Sequence, residues 1–371
     1  MKVLQRYFIS EILKSVLFTL IVFLVLFSFL DLISNLSPII HSSCKFQYIF
    51  PLILLSVPRH IYELMPLAVL IGTIYVLSKF AAHSEFTIMR ISGMSTMMII
   101  GILSNIALFF MLSTALIGEF VIPTSSEYIQ KVKLRNDATL ISRRSNTGLW
   151  IKDVIRVHKK VIGSRFIKIQ GIFPNGNLID IKLYEFDKKR HMVAFIQADQ
   201  ANYQRNHTWL MTNVVETNFS NKTAIRGNKS VTVNKLPSKT LMLNLTPKIL
   251  FSIRSDSKNM SAYSLLSYSQ YLAISNQHTG YHDMVLYKKL VYPFSIFVMM
   301  TIALPFSYLH FRGGGISFKV FIGIMLGISF YLTDALFSHL GLLNNWPPSL
   351  TAILPSAIFL LASIIATRKI Q

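Results

Sequence analysis

Four carboxylates fall within or at the edges of long apolar runs: Asp31, Glu63, Glu119 and Asp334. A carboxylate in hydrocarbon is costly, so it is either paired with a cation or employed on an ion or polar substrate. A proton relay would thread such groups through the middle of a membrane. These four instead sit toward the ends of their runs, and the topology derived below places all of them on the same, outer, side. That is the arrangement a polar cavity open to the outer leaflet needs; simple pairing or snorkelling is the alternative. Lys45, Arg59, Lys131, Lys133 and Arg135, with Arg143 and Arg144, would ring the same outer surface. Cations near a headgroup plane contribute about 1 kcal/mol each against anionic lipid. Ordinary solvation beside the membrane is the competing account.

The familiar catalytic signatures are missing. No Gly-x-x-x-x-Gly-Lys-[Ser/Thr] phosphate loop is present, and Gly313-Gly314-Gly315 follows no strand, so it reads as a turn. His-Glu-x-x-His is absent, the ten histidines are scattered, and Cys44 is alone. No catalytic residue, metal site or cofactor is assigned to this chain. Any energy input must come from a partner or an ion gradient.

These residues are carried by apolar helices. The 371-residue chain is 52% hydrophobic and 14% charged, against about 25% charged for a soluble domain. Runs at about 12–34, 58–80, 97–121, 290–309, 317–340 and 349–366 are long enough to span a bilayer, which takes about 20 helical residues. The first run is too long for a signal peptide and no cleavage site follows it. Six spans place both termini on one side. Lys2, Arg6, Lys14, Lys79, Arg90, Arg312, Lys319, Arg368 and Lys369 mark that side as cytoplasmic, because basic residues accumulate in cytoplasmic short loops. Residues 123–287 then lie outside. They hold 24 Lys/Arg against 10 Asp/Glu, so +14 of the net +21 lies there. Such an excess often means nucleic acid, but in a membrane protein it fits anionic lipid equally well.

Inside 123–287 the period changes. Residues 177–186, 191–204, 207–219 and 229–236 are short β-branched or aromatic runs bounded by turn residues, as in an all-β sandwich or jelly roll. Strict alternation would put Leu178, Lys182 and Tyr184 on one face and Ile179, Ile181 and Leu183 on the other. Residues 261–280 read as an amphipathic helix leading back to the fourth span. The expected fold is an α-helical membrane protein with six transmembrane helices and an inserted all-β, jelly-roll-like periplasmic domain. Its parts are 1–122, with spans one to three; 123–287, the β domain with helical linkers; and 288–371, with spans four to six.

Between spans two and three, Ser84-Glu85-Phe86-Thr87-Ile88-Met89-Arg90-Ile91-Ser92-Gly93-Met94-Ser95 reads as a short cytoplasmic helix. Ser84 is placed to cap it, and Glu85 complements the positive end of its dipole. Phe86 and Met89 share a face suited to a partner's groove, or to lipid if the helix lies on the bilayer. Gly323-x-x-x-Gly327 permits close helix contact, within this chain or with a second subunit.

Arg6-Tyr7, LLSVP at 54–58 with Pro66 after it, SEFTIMRISG at 84–93, GEFVIP at 118–123, GLWIKD at 148–153, FYLTDALF at 330–337 and LPSA at 354–357 occur in this order. Over nearly its whole length the chain thus resembles the LptF/LptG permeases of the lipopolysaccharide export ABC transporter, and GLWIKD makes it more similar to LptG. The resemblance implies an LptF-like permease partner and an LptB-like ATPase dimer that holds ATP and Mg. It also implies LptC-like and LptA-like jelly-roll proteins as a periplasmic bridge. It implies that 84–95, through Ser84, Glu85, Phe86, Met89, Arg90 and Gly93, couples to the ATPase. Lipopolysaccharide would enter from the outer leaflet of the Gram-negative inner membrane through a lateral gate of spans one and five, where Gly323 and Gly327 pack. Family members tend to carry a basic residue near the outer end of span one. Asp31 stands there here; Lys45, Arg59, Lys131, Lys133 and Arg135 are the expected lipopolysaccharide contacts in its place, and a less phosphorylated lipid A is the alternative account. Two other readings are a secondary transporter, which calls for ionisable or broken-helix sites at mid-membrane, and a membrane-anchored periplasmic scaffold, which needs only one or two spans.

Overall fold

The computed structural model describes residues 2–40, 49–85, 88, 91, 96–137, 148–157, 160–173, 176–220, 230–254, 256–305 and 315–370. Its chain forms two compact units. One comprises 1–126, 258–262 and 280–371; the other comprises 127–257 and 263–279.

The first unit is helical. It contains α1 (Lys2–Ile40), α2 (Ile49–Ala82), α3 (Thr96–Leu116), a π-helical turn (Ile117–Val121) and the start of α4 (Ile122–Asp137). After the second unit come α7 (Gly280–Ala303), α8 (Ile316–Leu343) and α9 (Pro348–Ile370). Six helices among the described residues are long and apolar enough to cross a membrane. Several begin or end beyond the apolar segments seen in the sequence, as α1 (Lys2–Ile40) and α2 (Ile49–Ala82) do, because backbone hydrogen bonding continues wherever residues can extend a helix.

The axis of this unit is α2, which packs on α1, α3, α7 and α8. Met65, Ala68, Val69, Leu70, Ile74, Leu77 and Phe80 of α2 are all buried in one core. Helices α1 and α2 approach closely at Gly72, where a Cβ would lie 2.8 Å from the Val16 backbone. Ser15 Oγ donates to the Gly72 carbonyl there, at 3.0 Å.

The second unit is built on six strands: β1 (Leu149–Val157), β2 (Lys160–Ile172), β3 (Leu178–Asp187), β4 (Met192–Tyr203), β5 (Thr208–Ser220) and β6 (Ser230–Met242). The inserted domain is all-β, as expected. The described strands form one antiparallel sheet in strict sequence order, β1 to β6. This meander is simpler than the double Greek key of a jelly roll. Two of its strands, β1 and β2, lie outside the runs marked in the sequence. Two helices, α5 (Pro247–Arg254) and α6 (Ala262–Ile274), follow the sheet, and Leu250, Tyr271 and Leu272 from them join its apolar core.

The strands share a break at one level. Pairing is interrupted between Ile169 and Gly171 on β2, Ile179 and Ile181 on β3, and Thr212 and Val214 on β5. By the ladder registers, Gly148, Gln170, Asp180, Asp199, Asn213 and Pro237 form a row straight across the sheet. Gly148, Asp180 and Asn213 have φ of +54°, +44° and +54°, the left-handed region that Gly, Asn and Asp tolerate best. Pro237 has no N–H to pair. Across this row the inward face changes parity: Ile167 and Ile169 give way to Ile172, and Trp209 and Met211 to Val214. Leu178 is therefore on the same buried face as Ile181 and Leu183. This corrects the strict alternation expected for 177–186; the left-handed turn at Asp180 resets the period.

Buried polar groups tie the sheet to the chain that follows it. Trp209 Nε1 donates to the Leu245 carbonyl at 2.8 Å. Asp153, fully buried, accepts from Asn244 Nδ2 at 2.8 Å. Arg165 pairs with Glu185 at 2.8 Å and donates to the Met242 carbonyl at 3.2 Å. Segment 242–245 thus returns across β1 and β2. Burial raises the Tyr271 phenol above its usual range, with the Asp153 charge adding to it, so the hydroxyl stays protonated and donates to the Lys152 carbonyl.

Candidate functional site

The four membrane carboxylates are brought together at one end of the helical unit, and each has a partner in the chain. Asp31 Oδ2 accepts from Ser56 Oγ at 2.9 Å and from His60 Nε2 at 2.7 Å. Glu63 is bound by Arg59 one turn earlier at 2.9 Å, and both side chains remain nearly half exposed. Asp334 of α8 is paired with Lys288 of α7 at 2.6 Å. Glu119, in the π-helical turn, accepts the Ala262 N–H at 2.8 Å. Pairing is therefore what the structure provides for these acids.

An aromatic pin lies beside them. Pro66 has no N–H to give to the carbonyl four residues earlier and strains the turn before it. In that turn the Glu63 carbonyl accepts the Tyr292 hydroxyl of α7 at 2.7 Å and also the Tyr331 hydroxyl of α8. The carbonyl whose helical donor Pro66 removes is that of Tyr62, the neighbour of this acceptor. Tyr62 stacks on Tyr292 at 4.7 Å and fills the space beside Gly118. Three helices thus converge on one turn of α2.

Gly323 and Gly327 are buried against α2 of the same chain. A Cβ on Gly323 would meet the end of Ile74, and one on Gly327 the end of Leu67. Of the two packing partners considered for this motif, the structure contains the internal one.

At the opposite end, Lys79 of α2 holds Glu11 of α1 at 3.2 Å, and Phe80 packs on Tyr7 and Phe8 at 5.8 and 5.5 Å. Ser84 follows with φ of +58°. Its N–H bonds to the Ala81 carbonyl, and its own carbonyl accepts the Ile88 N–H at 3.2 Å. One left-handed residue thus ends α2 and starts the next helical turn. Its φ departs from the extended backbone of an ordinary N-cap, the role expected for it. Glu85 is half buried with its carboxylate toward Tyr7. Phe86, Met89, Arg90, Gly93 and Lys45 lie outside the described residues. Lys131, Lys133 and Arg135 are positions on α4.

Sequence reasoning missed His60, Ser56, Tyr292, Tyr331 and Lys288. Only the first two left a readable trace. They are polar residues four apart within an apolar run, and so share one helix face.

Six spans and an inserted sheet agree with the comparisons with known proteins. The family model described as lipopolysaccharide export system permease LptF/LptG matches residues 6–369. The chain belongs to the LptF/LptG family. LptG of Escherichia coli (strain K12) is 29% identical over 365 residues, 98% of this chain and 97% of that protein. LptG of Haemophilus influenzae is 26% identical over 309 residues, covering 82% and 81%. LptF of E. coli K12 is 24% identical over 170 residues, 46% of this chain and 44% of its own. Similarity to LptG is therefore both stronger and more extended. The chain is a multi-pass membrane permease of the lipopolysaccharide export type.

Proposed function

We propose that this chain is the LptG-type subunit of an ATP-driven exporter in the inner membrane of a Gram-negative cell. It takes lipopolysaccharide from the outer leaflet and passes it to a periplasmic bridge of β-domain proteins similar to LptC and LptA. An LptF-like permease is its partner in the membrane. A soluble LptB-like ATPase dimer, bearing ATP and Mg, works from the cytoplasm, where both termini of this chain lie. The observation that carries the reading is the family match along 6–369, joined to six spans and an inserted β unit.

Residues 84–95 serve as the docking segment for the ATPase, with Glu85 as the central contact. Support comes from the exposed position of Ser84, Ile88 and Ile91 at the end of a helix tied to α1 by the Lys79–Glu11 pair. Arg59 remains half exposed beside Glu63 and, with Lys45, Lys131, Lys133 and Arg135, contacts the substrate phosphates. Affinity purification in mild detergent tests the assembly. A soluble ATPase and a second six-span permease should both be recovered, and loss of either from a stable, well-folded preparation sinks the reading. Glu85→Ala should lower ATPase recovery while insertion stays normal. Lys131→Glu with Lys133→Glu should lower crosslinking to lipopolysaccharide; unchanged crosslinking would return these lysines to ordinary solvation.

A further inference from the structure

Asp31 raises a problem for a protein that handles a phosphorylated lipid. It places a carboxylate near the outer end of the apolar run in α1, where an anionic headgroup would pass. The helix offers it two directions. Phe18, Ile21, Val25, Phe29 and Ile33 form an exposed stripe, each at least half accessible. Leu20, Leu24 and Phe27 lie on the opposite side, within the core built around α2. Asp31 continues that second series, at spacings of four, three and four, so its side chain starts from the α2 side.

The α2 helix meets it with two donors. His60 Nε2–H bonds to Oδ2 at 2.7 Å, and the Ser56 hydroxyl, shared with the Ile53 carbonyl at 2.7 Å, reaches the same oxygen at 2.9 Å. His60 is only 9% exposed, and its ring packs on Phe27 at 5.7 Å, so the imidazole is held in place. Ser56 and His60 are one turn apart and present both donors from one face of α2. Charge-assisted hydrogen bonds of this length fix a carboxylate's direction.

We propose that the Asp31–His60–Ser56 clasp is a specificity device that keeps the Asp31 carboxylate turned onto α2, so that the phosphates of a lipid substrate can pass along the exposed side of α1. This rests on the permease reading given above. The clasp also explains how a carboxylate is tolerated at this point of the helix. Without His60, the carboxylate loses its shortest bond and turns toward the passage. Repulsion between two unit charges several ångströms apart at a protein surface then weakens binding on the order of tenfold.

The test uses the assembled permease complex in lipid nanodiscs and two probes, lipopolysaccharide with bisphosphorylated lipid A and the same material dephosphorylated. The intact complex should bind the phosphorylated probe. If it binds neither probe, the permease reading fails, and the clasp proposal with it. His60→Ala should weaken binding of the phosphorylated probe about tenfold and leave the dephosphorylated probe within about twofold. Adding Asp31→Asn to His60→Ala should restore the phosphorylated probe to within about threefold of the intact complex. Equal losses for both probes, or no recovery in the double variant, would show a purely structural clasp and overturn the proposal. If His60→Ala does not assemble, Asp31→Asn alone decides, since an amide oxygen still accepts from both donors. It should bind the phosphorylated probe at least as well as the intact protein, and a tenfold loss would overturn the idea.

Discussion

At the residue scale, the shared acceptor on α2 makes a sharp prediction. Tyr292 and Tyr331 both donate to the Glu63 carbonyl. Either hydroxyl alone keeps a phenol tie from a neighbouring helix to α2, whereas removing both leaves none; a bond of this kind contributes about 0.5–1.5 kcal/mol. Tyr292→Phe and Tyr331→Phe should each lower the thermal midpoint slightly, and the double variant should lower it by clearly more than the sum. Additive shifts would show that the two bonds are independent. A second residue-level prediction concerns the β3–β4 turn. The His191 N–H, at 2.9 Å, and then the His191 side chain hold the Asp187 carboxyl below its ordinary value of 3.8. A lowered folded pKa means that the charged form favours the fold. This stabilisation is complete above the ordinary carboxyl value and disappears as pH falls through the lowered one. Asp187→Asn should therefore be less stable than the parent at pH 6, with the difference closing below about pH 4. A difference that persists at pH 2 would point to side-chain size instead of charge.

At the element scale, two glycine contacts that look alike in the sequence should behave differently. At Gly72 an added Cβ meets the backbone of α1, which cannot yield without moving the helix. At Gly327 it meets the tip of Leu67, which can change rotamer. Gly72→Ala should cost about 1–3 kcal/mol and reduce the yield of assembled protein; Gly327→Ala should stay near the parent. Denaturation in detergent micelles measures both, and the reverse ranking would show that α8, not α1, is the tighter fit. The sequence shows a possible small-residue motif only for Gly323 and Gly327; Gly72 looks like any glycine in an apolar run. The spans themselves are legible because hydrocarbon thickness demands long apolar runs. Their ends are not, since α1, α2 and α4 continue into polar sequence. Strands β3 to β6 are legible from alternation and turn residues, whereas charged residues on the inward face, Asp153 in β1 and Arg165 in β2, interrupt the apolar pattern there.

At the scale of the whole molecule, the order of motifs along the chain is enough to make the family readable. The pairing of its carboxylates is not readable in that way. Asp31 and His60 are 29 residues apart on different helices, and their meeting depends on how each helix is rotated about its axis. No spacing rule encodes that rotation. The row from Gly148 to Pro237 escapes for a similar reason, because it is a property of six strands aligned, not of any one. It has a consequence for how the β unit assembles. A one-residue slip between neighbouring strands would turn apolar side chains outward, so burial alone forbids it. A two-residue slip keeps every face correct, and a plain sheet has little defence against it. Here such a slip would set Asp180 or Asn213, in their left-handed conformation, against residues that demand regular pairing. The shared break therefore works as an alignment key, rejecting the misfolded registers that hydrophobic patterning would accept.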